Sequence, residues 1–387
     1  MATYNPGWSP LIEQSLRRRF ASANQGNLAE SALQPGDLSN LATASQGALA
    51  DSAIQPSVLA FGQRLLLKAN PMAVAFIKTD LGAAQVGQAI RVLVGNAVVS
   101  VAAGTAIAMP TLAAGNDYTI WVTPLGAVQA SASWDTPPVS GAVKIGGFHF
   151  APGGNATGQS GGNLTPQINQ FSFWDLCWRP RLPADPRGMA LVANSFWAGI
   201  YFLGVNHLTD GPSRHGVTIA NGNTPQKIPL EYGGNGSNNY SNFSWWNAAE
   251  ALSIHGLRLP HYHEFQVLAY GVTENVSRAT NPISTGLNVA NAGQDERFTS
   301  RWGIVQATGC VTVWGLGHGS NGASADWANN TQSRGETYSL PNAPLFGGFW
   351  ATSGLSGSRY SAWNDLPSLS NSPRAARGVV DHLISVF

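Results

Sequence analysis

Five short runs of β-branched and aromatic residues follow one another between Ala73 and Phe150, namely AVAFIKT, AIRVLVG, AVVSVAAG, YTIWVTP and AVKIGGFHF. Gly, Asn, Asp and Pro residues separate them at regular spacing, which is typical of strands joined by tight turns. Gly95-Asn96 between two of the runs predicts a hairpin. We therefore expect a small β-sandwich or barrel over residues 69–163. It has no cluster of His, Cys or carboxylate residues, so we assign it a spacer role.

The segment before these strands contains an internal repeat. QGNLAESALQP (residues 25–35) returns as QGALADSAIQP (residues 46–56). Two short copies are too few to bury a core, so copies of the chain in an oligomer would have to supply the neighbours. We predict an oligomerising and attachment segment over residues 1–68, with a flexible low-complexity linker as the alternative. The amino-acid sequence of this repeat resembles repeats of bacteriophage tail fibres.

The charge of the chain argues against nucleic acid as a partner. Only 11% of residues are charged, with 21 basic and 20 acidic residues, whereas phosphate binding needs a concentrated basic field. The short run at Arg17, Arg18 and Arg19 is better explained as a solvated helix face. We also expect no membrane insertion, because no apolar run is long enough to span a bilayer and MATYNPGWSP lacks the apolar core of a signal peptide.

A Gly- and Asn-rich stretch, APGGNATGQSGGN at residues 151–163, predicts a linker to a third domain over residues 164–387. We expect that domain to be α+β. One helix is predicted within SNFSWWNAAEALSIHG, capped by Ser241 or Asn242 and stopped by Gly256. A second helix is predicted in HYHEFQVLAYGV, directly after Pro260. The overall prediction is a mixed, β-rich chain.

The motif HYHEF raises the question of a metal site at His261, His263 and Glu264. On a helix, residues two apart point about 200° from each other, so the two histidines would not share a face. We favour instead a role for Glu264 at the amides of a helix N-terminus. No nucleophile elbow or phosphate loop is present. The sequence thus predicts neither a catalytic site nor a metal or other cofactor.

The two cysteines, Cys177 and Cys310, either pair with each other or are buried thiols. Their positions matter for the first of two resemblances. WWNAAEALSIHGLRLPHYHEFQVLAYG, RWGIVQATGCVTVWG, LFGGFW and AARG resemble the formylglycine-generating-enzyme subclass of C-type lectin folds. Enzymes of that subclass use a pair of late cysteines. Since no cysteine follows Cys310, the resemblance implies the fold without the oxidase activity.

Longer phrases resemble the major tropism determinants of Bordetella phages. They include VKIGGFHFAPGGNA, DPRGMALVANSFWAGIYFLGVNHLTDG, LFGGFWATSGLSGSRYSAW and ARGVVDHLI, and the likeness extends from about residue 73 onward. This family is implied to consist of trimeric receptor-binding proteins at the tips of tail fibres. A diversity-generating retroelement is implied to vary a C-terminal repeat, at about residues 345–384 here. The first 65 or so residues do not match.

The resemblance also implies which residues vary. The twelve aligned variable positions are Phe349, Ala351, Thr352, Ser353, Leu355, Ala362, Asn364, Asp365, Leu369, Asn371, Pro373 and Arg374. The fixed residues among them are Gly347, Gly348, Trp350, Ser356, Gly357, Arg359, Trp363, Pro367, Ala376, Arg377 and Gly378. An Asn codon mutated only at its adenines cannot encode Trp, Lys, Glu, Gln or Met, and none of these occupies the twelve positions. We expect Phe349, Arg374 and Tyr360 to anchor the ligand, because aromatic residues and Arg dominate binding hot spots.

The partners implied are a host cell-surface protein or glycan, two further copies in a homotrimer, and tail or virion proteins at the N-terminal segment. The location implied is the tail-fibre tip of a virion, with the cell surface, or the cytoplasm before assembly, as the alternative. A prophage- or cell-encoded diversified ligand-binding protein is the second hypothesis. The sequence identifies neither the receptor nor any bound calcium.

Overall fold

The computed structural model describes residues 65–287, 295–319, 327–328, 334 and 336–384. The repeat at residues 25–56 lies outside the described residues, so the oligomerising segment stays a prediction. The first described strands confirm the predicted β-rich region. They are β1 Leu66–Lys68, β2 Phe76–Asp80, β3 Ala83–Val86, β4 Ile90–Val94, β5 Ala97–Val101, β6 Asn116–Val122, β7 Val128–Ser131 and β8 Val143–Ala151.

The predicted hairpin is confirmed by the antiparallel pairing of β4 with β5, which places Val94 opposite Ala97. Gly95 in the turn has a φ of +59°, a conformation that glycine adopts without steric cost. Strand β1 pairs with the other side of β4. Alternate residues of β4, Ile90 and Val92, are buried, so this sheet packs one face on the core. The alternation along β4 is that expected of a strand with one buried face.

A larger sheet continues from these strands into the C-terminal region. Its further strands are β9 Gln167–Ile168, β10 Trp174–Asp175, β11 Trp178–Pro180, β12 Met189–Val192, β13 Phe196–Gly199 and β20 Val379–Ile384. In the described residues the strand order is β12-β13-β20-β11-β10-β8-β6-β7. Strand β9 pairs with Phe150 and Ala151 at the C-terminal end of β8. The sandwich region and the C-terminal region therefore share one hydrogen-bonded sheet. Gly146 permits the close approach, because a Cβ there would lie 2.3 Å from the carbonyl oxygen of Trp174.

The segment predicted as a linker, residues 151–163, is a closed and packed loop. Gly154 and Asn163 exchange backbone hydrogen bonds of 3.1 and 3.3 Å. A Cβ on Gly153 would lie 2.1 Å from the Asn163 carbonyl oxygen. The linker interpretation was wrong because glycine here serves close backbone contact, and composition alone does not separate that use from flexibility.

The helices are α1 His207–Asp210, α2 Trp245–Ser253 and α3 Tyr262–Leu268. Helices α2 and α3 confirm both predicted helices, but the predicted cap of α2 was wrong. Ser244, in extended conformation, is the N-cap and its side chain accepts the Asn247 N–H. Asn242 instead receives the Asn247 side-chain amide at 2.8 Å. Gly256 lies beyond the helix end, with a φ of +69°.

Helix α3 confirms the predicted role of Glu264. Its carboxylate accepts the backbone N–H of His261, the N-cap residue, at 2.8 Å. It also receives two bonds from Arg258, of 2.6 and 2.7 Å. Burial raises the pKa of Glu264, but the hydrogen bonds from Arg258 and His261 outweigh burial and leave that pKa below its usual value.

The remaining strands are β14 Thr312–Trp314, β15 Trp327–Ala328, β16 Thr337–Tyr338, β17 Ala343–Phe346, β18 Ser361–Asp365 and β19 Arg374–Ala375. In the described residues, β18, β17, β14 and β19 form one sheet in that order. Short 3-10 helices lie at Leu230–Tyr232, Glu296–Phe298 and Ser353–Leu355. Cys177 and Cys310 are buried thiols rather than a disulfide. No helix within the described ranges is long and apolar enough to cross a membrane.

We expect acid to destabilise the fold through His382 on β20. The Trp197 indole N–H donates to Nδ1 of His382 at 2.9 Å, and burial lowers the pKa of His382 to about 4. An unfolded histidine binds its proton near pH 6.5, so between these two values the unfolded chain holds more protons than the folded chain. Stability therefore falls as the pH drops from about 6.5 to about 4.

Thermal unfolding at several pH values across this range checks the expectation. The loss of Tm on acidification should be smaller in His382→Gln than in the unchanged protein, because glutamine does not titrate. The matched control is His263→Gln, which makes the same change at an exposed position away from β20. Equal pH dependence in all three proteins would contradict the role of His382.

Candidate functional site

The predicted variable positions fall on two stretches that the sheet β18-β17-β14-β19 holds together. The first is the loop from β17 to β18, with Phe349, Ala351, Thr352, Ser353, Leu355 and, at its end, Tyr360. The second runs along β18 and on to β19, with Ala362, Asn364, Asp365, Leu369, Asn371, Pro373 and Arg374. Antiparallel pairing of β17 with β18 sets Leu345 opposite Ala362. We call these thirteen residues the variable-site surface.

Most of this surface is accessible to solvent. The exposed members are Ala351, Ser353, Leu355, Asn364, Leu369 and Asn371. Leu355 is 75% exposed. The half-buried members are Phe349, Thr352, Tyr360, Ala362, Asp365 and Pro373. Burial, with a smaller effect of the Asp365 charge, raises the pKa of Tyr360. Its phenol is therefore a neutral hydroxyl near pH 7.

The prediction that Arg374 is an exposed anchor was wrong. Arg374 belongs to strand β19, and the residue is only 8% exposed. The guanidinium Nε donates to the Asp365 carboxylate at 2.8 Å, and Nη2 donates to the same oxygen. The guanidinium also lies 5.9 Å from the centroid of the Trp314 ring. Two of the predicted variable positions thus form an ion pair with each other, which the linear sequence does not show.

Glycines at two positions that were predicted to be fixed shape the loop that follows β17. Gly347 and Gly348 have φ angles of +89° and +77°, where other residues are strained. A Cβ on Gly348 would also lie 2.4 Å from Oγ of Ser356. The loop closes on itself through the Gly347 N–H, which donates to the Tyr360 carbonyl at 3.2 Å. The two glycines, which do not belong to the variable-site surface, therefore set much of the backbone path, together with the main-chain carbonyl of Tyr360.

A segment that sequence reasoning missed, residues 274–279, supports the same loop from the side. The Trp350 carbonyl accepts the Ala279 N–H at 3.0 Å and the Ser277 hydroxyl at 2.9 Å. The Ser353 N–H donates to the Ser277 hydroxyl at 3.1 Å. These bonds use only main-chain groups of the loop, so they do not depend on the side chains at its variable positions. No local signal marks this support, because it lies more than 70 residues away in the chain.

Glu274 fixes the end of the loop. Its carboxylate accepts the Ser358 hydroxyl at 2.6 Å and the Ser358 N–H at 2.9 Å. A Cβ on Gly357 would lie 2.2 Å from Oε2 of Glu274, so glycine is needed for this approach. The Asn275 N–H donates to the Ser356 carbonyl at 2.9 Å. Together these contacts hold the loop rigidly while its exposed side chains face solvent.

Comparison with known proteins places this geometry in a family. The chain is 47% identical over 323 residues to the tail fiber receptor-binding protein of Bordetella phage BPP-1, covering 82% of this chain and 84% of that relative. The chain belongs to this family of phage tail-fibre receptor-binding proteins. Two solved structures agree with the relationship, the P3c and I1 variants of the major tropism determinant, at 46% and 47% identity. Each has a TM-score of 0.80, with 83% of this chain and 86% of the other covered.

The structural match to the tropism determinants confirms the predicted C-type lectin fold of the C-terminal region. The family model for the Mtd second domain matches residues 74–175. That match reaches beyond residue 163 and includes strands β9 and β10, which pair with β8 in the shared sheet. The β-sandwich region of this chain therefore matches a domain of the family by itself.

The described residues contain no arrangement suited to a metal ion. No group of three His, Cys, Asp or Glu residues among them is placed to hold one. The rings of His261 and His263 stack with centroids 5.6 Å apart. The expectation that they diverge was wrong, because His261 precedes α3 and does not have helical geometry. Burial raises the pKa of the Cys310 thiol, which makes it a poor nucleophile.

Proposed function

We propose that the chain binds a ligand on the host cell surface through the variable-site surface and so sets the host range of a phage. The proposal rests on one observation about the loop from β17 to β18: the residues that hold its backbone differ from those whose side chains are exposed. Its backbone is held by Gly347, Gly348, Glu274 and Ser277, none of which is a predicted variable position. Its exposed side chains, such as Leu355, are not needed for those bonds. Such a site accepts new side chains without refolding.

We further propose that a diversity-generating retroelement varies these side chains. A rigid backbone presents each new set of side chains in a preorganised form, so little conformational entropy is lost on binding. The mixture of aromatic, acidic and small residues without periodicity is typical of antigen-combining surfaces. The Asp365 and Arg374 pair adds a constraint, because a change at one leaves the partly buried charge of the other unpaired.

The assembly proposed is a homotrimer at the tail-fibre tip, attached to the virion through residues 1–68. Three sites on each trimer, and several trimers on each virion, raise the effective concentration of weak individual sites. The binding of an intact surface ligand requires no chemical step, and we propose a non-enzymatic adhesin. The name of the phage relative, a tail fiber receptor-binding protein, supports this role.

Sequencing before and after a change of host tests the proposal. Phage are passaged on bacteria that lack the original receptor, and codons 345–387 are sequenced from the plaques that arise. We expect substitutions confined to adenines in the codons of the twelve variable positions, together with renewed adsorption. Plaques with substitutions spread evenly over the segment, or outside it, would contradict a diversified receptor-binding surface.

A further inference from the structure

A cavity of about 590 Å³ lies beside the loop from β17 to β18, within the usual size range of small-molecule sites. Its walls come from α3, from the segment after α3 and from the loop at residues 151–163. Ser358 and Arg359 complete the wall on the side of the variable-site surface. None of the lining residues is a predicted variable position. The cavity would therefore stay the same while the neighbouring surface changes.

Two aromatic side chains line this cavity, Tyr270 and Trp302. Tyr270 is 44% exposed. The Trp302 ring is held in place because its Nε1–H donates to the Val267 carbonyl at 2.8 Å. Its centroid also lies 4.9 Å from that of Phe171, at 70° between the rings. The aromatic wall is thus partly open to solvent and fixed before any ligand arrives.

Polar groups in the same cavity are mostly planar and balanced in charge. The side-chain amides of Gln159, Gln266 and Asn275 offer both donors and acceptors. The carboxylate of Glu274 accepts two hydrogen bonds from Ser358. Arg359 also lines the cavity, so the lining contains one acidic and one basic residue. A charged ligand therefore gains little here. A neutral ligand rich in hydroxyl groups would meet donors and acceptors next to aromatic rings.

The polar walls are also held by the backbone. Gly161 donates its N–H to the Gly271 carbonyl at 2.9 Å, which brings the loop carrying Gln159 against the segment after α3. The Tyr270 carbonyl accepts the Arg301 N–H at 2.8 Å, which joins the segment of Tyr270 to that of Trp302. Because these main-chain contacts fix the positions of the walls, binding does not have to order the cavity.

We propose that this cavity is a fixed subsite for a neutral pyranose of a host-surface glycan. One apolar face of a pyranose packs on an aromatic ring, while its hydroxyl groups hydrogen-bond to planar amide and guanidinium groups. The inference rests on the proposed receptor-binding function and deepens it. A constant, weak saccharide contact would hold the phage on host cells while the variable-site surface selects the receptor, since weak sites gain strength in a multivalent particle.

Saturation-transfer NMR on the full chain tests the subsite, with maltose, lactose and N,N′-diacetylchitobiose as probes at millimolar concentration. We expect transfer to at least one probe, and an affinity about tenfold weaker in Tyr270→Ala, as for loss of a hot-spot aromatic. Gln266→Ala, at a half-buried position, should weaken the same probe. Matched controls are Tyr338→Ala, an exposed tyrosine outside the cavity, and Leu355→Ala on the variable-site surface. Both should bind like the unchanged protein.

Three outcomes would overturn the subsite. The first is no transfer to any of the three probes, and the second is unweakened transfer in both cavity variants. The third is a change of oligomeric mass in Tyr270→Ala by light scattering, which would make the cavity an interface between copies of the chain. The two proposals fail separately. A chain that adsorbs to host cells but binds no probe loses only the subsite, and a chain that binds a probe while Phe349→Ala adsorbs normally loses only the receptor surface.

Discussion

Replacing Arg377 by alanine is expected to cost about 3–5 kcal/mol of the free energy of unfolding, as for other changes that leave buried carbonyls unsatisfied and open a cavity. Arg377 is fully buried. Its Nη1 donates at 2.7 Å to the carbonyls of both Gly199 and Ile200, and Nη2 donates at 2.8 Å to that of Val305. The guanidinium also lies 4.3 Å from the centroid of the Phe202 ring.

The reason for the size of this effect is that alanine leaves several buried carbonyls without donors and opens a cavity. Burial lowers the pKa of Arg377 to about 9, so the guanidinium is still charged near pH 7 and its bonds are charge-assisted. Arg377→Lys should restore little, because one ammonium cannot span carbonyls on two segments.

Urea denaturation of the full chain measures the change. Arg359→Ala is the matched control, since Arg359 is exposed and its removal should alter the free energy of unfolding by well under 1 kcal/mol. A similarly small change in Arg377→Ala would show that the carbonyls find other partners and that Arg377 does not organise the C-terminal region.

Replacing Phe349 by alanine is expected to abolish adsorption to host cells while leaving the Tm nearly unchanged. The ring is half-buried and lies edge-on to Trp350, with centroids 5.3 Å apart. The local backbone bonds do not need the ring, since the Phe349 N–H donates to the Thr352 hydroxyl at 2.8 Å. Loss of an aromatic hot spot costs about 2 kcal/mol. That is roughly a 30-fold loss at each site, and multivalent attachment multiplies it.

Adsorption rate constants of phage carrying the variant, together with the Tm of the purified protein, check this result. Leu125→Ala is the control, because Leu125 is 97% exposed and lies outside the variable-site surface. It should change neither quantity. A large fall in the Tm of Phe349→Ala would identify the ring as part of the core, and the map of the variable-site surface would then be wrong.

The site could be predicted from the sequence only in part. Resemblance to a family supplied twelve of the thirteen positions, the hot-spot argument added Tyr360, and most of the thirteen are exposed or half-buried. It did not supply the state of Arg374, whose guanidinium pairs with Asp365 across the sheet. Residue type gives the same expectation for an exposed and a paired arginine, and only the strand order separates the two.

The supports of the site were also beyond the sequence. Glu274 and Ser277 bind a loop more than 70 residues further along the chain, and neither belongs to a motif. The cavity beside that loop is likewise assembled from segments between residues 159 and 359. Contacts between residues so far apart in the chain depend on how the elements pack. Short-range sequence patterns therefore do not predict them.

What the sequence alone determined was local. Runs of β-branched residues, the turn at Gly95, the presence of helices α2 and α3 and the capping role of Glu264 all follow from conformational preferences of neighbouring residues. The N-cap of α2 at Ser244 was not predicted. Only the tertiary structure decided which distant segments contact each other. The sheet shared by β8 and β10, the packed loop at residues 151–163 and the pairing of Asp365 with Arg374 are set by burial and hydrogen bonding between distant segments. Each buried polar group must find a partner somewhere, but the chain leaves open which one until it folds.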